Sequence, residues 1–139
     1  MKISVVICTR NRSDMIGQAV ESVAGCDYPD FDMHIMDQST DTLTQEIIDS
    51  LADKFAGRVP ITYHHLDKAG LSRAYNAGMR VSDGEAIAFT DDDVTVPKNW
   101  LTQIRKAFQE DVNIGLLYGQ VCIPPSLFAD AMSGKLIVP

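Results

Sequence analysis

Residues 3–8 read Ile3-Ser4-Val5-Val6-Ile7-Cys8, a nearly continuous apolar run rich in β-branched side chains. A strand with one face in solvent would alternate apolar and polar residues, and this run does not. It therefore predicts a strand covered on both faces, as in a parallel sheet between helices. The polar segment Thr9-Arg10-Asn11-Arg12 follows at once, so we expect the strand to end there.

Outward from this strand, short apolar runs alternate with amphipathic segments along the chain. Further strands are predicted at Met33–Met36, Ile61–His64, Glu85–Thr90 and Ile114–Ile123. Helices are predicted at Ser13–Ala24, from Thr42 to about Phe55, at Leu71–Met79 and from Pro97 to about Phe108. This order indicates an α/β fold, with a mainly parallel, Rossmann-like sheet in a three-layer α/β/α arrangement. Residues 1–139 are expected to form a single domain.

Local signals predict where the helices begin and end. Ser13 is expected to be the N-cap of the first helix, and Gly25 to stop it. Thr42 and Gln45 resemble a capping box at the start of the second helix. Pro97 suits the first turn of the last helix, where its missing N–H group carries no penalty.

The 139 residues carry a formal net charge of −7. Because nucleic-acid binding needs a basic face, this balance disfavours nucleic acid as the main partner but allows a small anionic ligand. Three scattered cysteines, Cys8, Cys26 and Cys122, argue against a disulfide framework or a zinc site. They predict reduced thiols in a cytoplasmic protein. The apolar runs are too short for a signal peptide or a membrane span.

A polar loop follows each of the first four predicted strands. These loops are Thr9–Arg12, Asp37–Asp41, His65–Gly70 and Asp91–Asp93. In open parallel sheets, ligands bind outside the carboxyl ends of the strands. We therefore expect the four loops to open on one edge of the sheet and to form one site.

The strongest chemical signal is the triple aspartate Asp91-Asp92-Asp93, directly after a buried strand. Three adjacent carboxylates repel one another unless a cation lies among them. Oxygen ligands suit Mg²⁺ or Mn²⁺, which bridge one or two carboxylates to the phosphates of a substrate. The alternative is a solvated turn whose aspartates cap the helix near Pro97.

Other motif interpretations fit less well. Asp91-Asp92-Asp93-Val94-Thr95 matches DxDxT, the nucleophile motif of haloacid-dehalogenase-like phosphatases, but those proteins carry it after their first strand. A receiver domain needs an acidic pair after the first strand, where this chain has Thr9 and Arg10. The chain contains no GxxxxGK[ST] loop and no GxGxxG fingerprint.

Four segments, in order, resemble family 2 glycosyltransferases of the GT-A fold. Residues 4–12 resemble the first strand and loop of that family, and Asp37-Gln38-Ser39-Thr40-Asp41 resembles its D-x-S-T-D stretch. Residues 70–78, Gly-Leu-Ser-Arg-Ala-Tyr-Asn-Ala-Gly, resemble its GLSxARNxG segment. Phe89-Thr90-Asp91-Asp92-Asp93 resembles its DxD region. The resemblance covers about the first hundred residues.

The resemblance implies roles for individual residues. Thr9 and Asp37 would contact the nucleotide base, usually uracil, and Arg73 would lie near the base or the diphosphate. Asp91 would bind the ribose or the metal and Asp93 the metal, with Asp92 as the flexible middle member. Tyr75 departs from the family pattern, which often has Arg there. The predicted metal ligands are Asp91 and Asp93, and the predicted nucleotide-sugar-binding residues are Thr9, Arg10, Asp37, Lys68, Arg73, Asp91 and Asp92.

Elementary chemistry agrees with these roles. A nucleoside diphosphate leaves readily only when its developing charge is neutralised, which Mg²⁺ or Mn²⁺ on an acidic pair achieves. Arg10, Arg12, Lys68 and Arg73 would supply positive potential in an otherwise acidic protein. Asp37 could accept hydrogen bonds from the ring N–H groups of a base.

The resulting prediction is an inverting glycosyltransferase that moves a sugar from a nucleoside-diphosphate donor, expected to be a UDP-sugar, to an acceptor hydroxyl. The acceptor is expected to be a carbohydrate or lipid-linked. The catalytic general base is unknown and is expected outside this chain, which looks truncated at its C-terminus. A missing C-terminal part could provide membrane association, and the apolar tail Leu136-Ile137-Val138 could support self-association. The alternative function is a nucleotide-binding or interaction module without turnover.

Overall fold

The computed structural model describes residues 1–123, in which four strands alternate with four helices. The strands are β1 (Ile3–Thr9), β2 (Phe31–Asp37), β3 (Ile61–His65) and β4 (Ala86–Asp91). The helices are α1 (Ser13–Ala24), α2 (Leu43–Lys54), α3 (Leu71–Val81) and α4 (Trp100–Glu110). Within this part of the chain, no helix combines the length and apolar character that crossing a membrane requires.

The four strands form one parallel sheet in the order β3-β2-β1-β4. The chain builds outward from β1 through β2 to β3, and then crosses back to place β4 on the other side of β1. The register pairs Cys8 with both Met36 and Asp91, so neighbouring strands end at nearly the same level. All four carboxyl ends therefore lie at one edge, and the switch point of the topology lies between β1 and β4.

Helices cover both faces of the sheet, which confirms the predicted three-layer arrangement. On one face, Ile3, Val5 and Ile7 of β1 belong to the main core together with residues of α1, α2 and α4, namely Ile16, Val20, Ile48 and Leu101. On the other face, Val6 packs against Met36 and Ala74 of α3. A Cβ atom on Gly78 would clash with the Val6 side chain, so α3 depends on this glycine for its close approach to β1.

The predicted fifth strand at Ile114–Ile123 is wrong. This segment contains no strand, and its apolar side chains are largely exposed, with Tyr118 at 84% and Val121 at 78%. A strand requires the backbone groups of a neighbour, and within residues 1–123 the outer edge of β4 pairs with no other strand. The apolar, β-branched composition of the segment led to the prediction, but composition does not show whether a second strand is available for pairing.

The predicted helix starts are only partly correct. The N-cap of α1 is Arg12 rather than Ser13, and no side chain caps it. Thr42 is the N-cap of α2 as expected, but its hydroxyl donates to Glu46 Oε1 at 2.9 Å, so the capping box with Gln45 is not formed. Pro97 lies before α4, whose first residue, Trp100, donates its N–H to the Pro97 carbonyl at 2.9 Å. Capping geometry depends on loop conformation, which the residue types alone do not determine.

Candidate functional site

The loop after β1 is fixed to the loop after β2 by Asn11. This residue has φ = 53°, in the left-handed region that asparagine tolerates better than most residues. Its N–H donates to Ser39 Oγ at 2.8 Å, and its Oδ1 accepts from the Thr40 N–H at 3.0 Å. The unusual backbone conformation therefore has a function in the site: it turns the side chain and the N–H of Asn11 toward the neighbouring loop.

The same loop is fixed to the loop after β4 by Thr9 and Arg12. Arg12 Nη1 donates to Asp92 Oδ1 at 2.7 Å and to Asp93 Oδ2 at 3.1 Å. Thr9 Oγ1 donates to Asp92 Oδ2 at 2.7 Å, so both oxygens of Asp92 have partners. The hydrogen bond that Arg12 donates to Asp92, followed by the charges of Asp92 and Asp93, raises the pKa of the Arg12 guanidinium above its ordinary value. These contacts lie directly at the switch point between β1 and β4.

The three aspartates of the cluster do not point to one place. Asp92 is 4% exposed and faces Thr9, whereas Asp93 is exposed at the surface beside Arg12. Asp91 ends β4 opposite Cys8, and its charge reaches Cys8 and Tyr75 on the α3 side of the sheet. The structure therefore brings together Asp92 and Asp93, while the sequence interpretation paired Asp91 with Asp93 and treated Asp92 as a flexible middle member.

Cys8 is part of the packing beside this cluster and not a nucleophile. Burial, and then the nearby charges of Asp91 and Asp92, raise the pKa of the Cys8 thiol to about 12. Because the thiolate is the reactive form, this thiol stays protonated and inert near neutral pH. Burial, followed by the electrostatic influence of Asp91 and Cys8, likewise raises the pKa of the Tyr75 hydroxyl.

The chemistry of the cluster fits a divalent cation shared with a ligand. Within residues 1–123, no three acidic, histidine or cysteine side chains converge closely enough to bind a metal ion alone. Two carboxylates nevertheless converge on one cationic atom, Nη1 of Arg12, so the site already accommodates positive charge at that point. Mg²⁺ and Mn²⁺ need only one or two carboxylates when phosphates complete the coordination. The residues present therefore fit such an ion.

An open cavity of about 510 Å³ lies on the other side of the β1 loop, over the ends of β2 and β3. Its walls combine cationic, hydroxyl and aromatic side chains, among them Arg10, Ser39, Thr40, Tyr63, His65 and Asp67. A cavity of this size and mixed polarity is large enough for a nucleotide base and its ribose. Arg10 lies at the wall of this cavity.

Asp37 lies behind this cavity and does not line it. Its side chain is fully buried, and its Oδ1 accepts hydrogen bonds from the N–H and the hydroxyl of Ser39, the former at 2.8 Å. Its Oδ2 accepts from the Tyr63 hydroxyl at 2.9 Å. Burial, and then the hydrogen bond to Asp37, raise the pKa of the Tyr63 hydroxyl. Ser39 and Tyr63 therefore stand between Asp37 and any base in the cavity.

Gln38 connects the cavity to the start of α3. Its Nε2 donates to the carbonyl oxygens of Lys68 at 2.7 Å and Gly70 at 3.1 Å, and its Oε1 accepts from the Gly70 N–H at 3.1 Å. Gly70 has φ = 135°, which only glycine adopts readily, and the helix begins at the next residue. The side chains of Lys68 and Arg73 are exposed on either side of this turn, at the same edge of the sheet as the cavity.

Sequence reasoning missed four residues that organise the site: Asn11, Arg12, Gln38 and Tyr63. Arg12 was expected only as a source of positive potential, because its partners Asp92 and Asp93 lie about eighty positions away in the sequence. The positive φ of Asn11 and the buried amide of Gln38 leave no signal in residue type or spacing. Tyr63 looked like an ordinary apolar strand residue, because its hydroxyl acquires a role only once β3 pairs with β2.

The comparisons with known proteins agree with this architecture. Residues 4–131 match the model of the family described as Glycosyl transferase family 2. An uncharacterised glycosyltransferase from Nostoc sp. is 30% identical over 120 residues, which cover 85% of this chain and 36% of that protein. The chain thus spans little more than a third of the length of this relative.

Two solved structures share the fold, the GT-A fold of glycosyltransferases. S. aureus TarS in complex with UDP-GlcNAc superposes with a TM-score of 0.69 at 24% identity, covering 92% of this chain and 38% of that one. The mannosyltransferase PcManGT from Pyrobaculum calidifontis, in complex with GDP-Man and Mn²⁺, gives 0.71 at 23% identity, covering 77% and 32%. Together with a parallel sheet whose loops form a polar site at the switch point, the family match leads to one conclusion: this chain belongs to glycosyl transferase family 2.

Proposed function

We propose that the described part of the chain binds the nucleotide-sugar donor of a metal-assisted, inverting glycosyltransferase. The single observation that carries this proposal is the division of the site by the β1 loop. A base-sized cavity lies on one side of the loop, and a converging carboxylate pair lies on the other. A nucleoside diphosphate lying across the loop would place its base and its diphosphate in these two places.

The base would occupy the cavity over β2 and β3. Ser39 and Tyr63 line that cavity and are positioned from behind by Asp37, so Asp37 would select the base through them. Arg10 stands at the cavity wall and would attract the phosphates by its charge. The UDP-GlcNAc complex of TarS supports a uracil nucleotide, which is the donor we expect.

The diphosphate would lie beside the carboxylates that follow β4. Asp93, with either Asp91 or Asp92, would hold a Mg²⁺ or Mn²⁺ ion against it, and the Mn²⁺ complex of PcManGT supports this choice. When bound, the ion would neutralise the charge that develops on the departing diphosphate. Lys68 and Arg73, exposed at the turn before α3, would add positive charge at the same edge.

The remaining parts of the reaction lie outside these contacts. Inverting transfer needs a general base for the acceptor hydroxyl, and the location of that group outside this chain stays a prediction. A carbohydrate or lipid-linked acceptor, a cytoplasmic location and membrane association through further sequence stay predictions. The predicted self-association rests on Leu136-Ile137-Val138, which lie outside the described residues.

Calorimetry with UDP, GDP and CDP tests the donor assignment, each nucleotide with Mn²⁺ and again with EDTA. UDP should bind most tightly, and Mn²⁺ should strengthen its binding because the ion bridges carboxylate and phosphate. Asp53→Asn, which alters an exposed aspartate of α2, is the matched control and should behave like the parent chain. UDP affinity that is unchanged by EDTA would contradict the metal bridge.

A binding module without turnover is the second candidate, because all the contacts proposed above serve the donor. The 139-residue chain should bind UDP but transfer sugar poorly, since the lack of a general base alone costs roughly 10²–10⁴-fold in rate. Measuring transfer from a UDP-sugar to a panel of acceptors checks this. Robust transfer by the 139 residues would place the base within them and reject the module.

A further inference from the structure

We propose that Arg12 is an internal counter-ion, which occupies the cation position between Asp92 and Asp93 in the metal-free protein and yields it when a divalent ion binds. This inference rests on the proposed function, because it assumes that the two carboxylates contribute to a metal site. It gives Arg12 a second role, beyond the positive potential expected of it from the sequence. The consequence is that metal and nucleotide should bind together more readily than metal alone.

The geometry is that of an occupied cation position. A single atom, Arg12 Nη1, lies 2.7 Å from Asp92 Oδ1 and 3.1 Å from Asp93 Oδ2. Mg²⁺ binds carboxylate oxygens at about 2.0–2.1 Å, so it cannot use the same two oxygens while the guanidinium remains between them. Ion and guanidinium therefore compete for one place.

The Arg12 side chain can leave this place without disturbing the loop. The backbone of Arg12 is fixed, because its carbonyl accepts from the N–H groups of Met15 at 3.1 Å and Ile16 at 3.2 Å at the start of α1. Its side chain is 49% exposed, and its hydrogen bonds go only to Asp92 and Asp93 among the described residues. Rotation about its side-chain bonds thus moves the guanidinium from these two carboxylates into water, and the arriving ion replaces it as the partner of the buried Asp92.

A diphosphate would give the displaced side chain a new partner. The planar guanidinium binds phosphate oxygens well, and the proposed diphosphate lies beside the same carboxylates. In the metal-free protein Arg12 lowers the negative charge of the Asp92–Asp93 pair. With metal and nucleotide bound, it would lower the negative charge of the donor instead. The Arg12 side chain would therefore stabilise both the ligand-free protein and the complex with metal and nucleotide, relative to the protein with metal alone.

The experiment measures Mn²⁺ binding by titration without nucleotide, in the parent chain and in Arg12→Gln. The substitution should raise Mn²⁺ affinity roughly two- to fivefold, the size of a partly exposed ion pair. Arg80→Gln is the control, since it removes the same charge from an exposed position in the last turn of α3, at the other end of the sheet. Arg12→Lys, which keeps the charge on a single ammonium group, should fall between the two. Thermal melts verify that each variant is folded.

A second titration in the presence of UDP completes the test. There the gain of Arg12→Gln should shrink or reverse, because the parent side chain then contacts phosphate. Equal Mn²⁺ affinity in Arg12→Gln and Arg80→Gln, with binding that still depends on UDP, overturns the counter-ion while the metal site stands. Absence of Mn²⁺ binding in every variant, with and without UDP, overturns the metal-assisted function and this inference with it.

Discussion

Asp37 and Asp92 lie on opposite sides of β1, and both are almost fully buried, at 0% and 4% exposure. Neutral donors, two from Ser39 and one from Tyr63, satisfy Asp37. Asp92 instead has one hydroxyl donor and one guanidinium. The two sides therefore differ in kind: the proposed base side is a network of hydrogen bonds between neutral donors and a carboxylate, whereas the proposed diphosphate side contains an ion pair with Arg12.

The largest expected effect is that of Asp37→Ala. The change leaves the Ser39 N–H, the Ser39 hydroxyl and the Tyr63 hydroxyl without their acceptor, and should cost about 3 kcal/mol of the free energy of unfolding. UDP binding should weaken by about 1–3 kcal/mol, more than binding of ribose phosphate, because Ser39 and Tyr63, which would contact the base, lose the acceptor that positions them. Urea denaturation and calorimetry measure the two quantities. Equal losses for both ligands would remove Asp37 from base selection.

Asp92→Asn should have an intermediate effect and a different character. It weakens the contact with Arg12 and removes a carboxylate from the proposed metal position, so the enhancement of UDP binding by Mn²⁺ should fall roughly tenfold. Binding in EDTA should change little. Asp37→Ala is the matched control from the other side of β1, and should keep its Mn²⁺ enhancement. If both variants lost the enhancement equally, the two sides would not be independent.

Tyr63→Phe isolates one hydrogen bond of the base side. The hydroxyl donates to Asp37 Oδ2, and its loss should lower the free energy of unfolding by about 1 kcal/mol, since Ser39 continues to satisfy the other oxygen. Tyr118→Phe removes a hydroxyl from an exposed tyrosine and should be neutral. A Tyr63→Phe protein as stable as Tyr118→Phe would mean that Asp37 does not depend on this donor.

The smallest expected effect is a dependence of stability on pH. It arises from a pair of histidines that belongs to neither the Asp37 side nor the Asp92 side of β1. His34 Nδ1 and His64 Nε2 are 3.2 Å apart, and burial followed by the charge of His34 lowers the pKa of His64. The unfolded chain therefore binds a proton at His64 more readily than the folded protein. Stability should be complete above about pH 6.5 and decline as the pH falls below it.

Thermal melts of the parent chain and His64→Gln between pH 7.5 and 5.5 measure this decline. The substitution should flatten the pH dependence, whereas His65→Gln, at an exposed neighbour, should not. If His64→Gln kept the full slope, another group would be responsible. Stability of the Asp37 and Asp92 variants is best compared above about pH 6.5, where the histidine pair does not make stability depend on pH.

The sequence predicts the layered fold well because local signals and topology rules agree. The run from Ile3 to Cys8 could be buried only between helices, and the polar loops after each strand had to meet at one edge. The prediction for Ile114–Ile123 failed because there the two kinds of signal disagree. The composition of the segment suits a strand, but strand pairing depends on a neighbouring strand. The partners of Arg12 lie about eighty positions away, so no local pattern could reveal that contact.

The same separation along the chain has a consequence for how the protein folds. The hydrogen bond between Asn11 and Ser39 closes a loop of 28 residues, whereas that between Thr9 and Asp92 closes one of 83. The entropic contribution to the free energy of closing the longer loop is less favourable by about 1 kcal/mol. We therefore expect the nucleus to form around β1 and β2, with β4 docking later. In that sequence of events, the proposed diphosphate side would form only when folding is nearly complete.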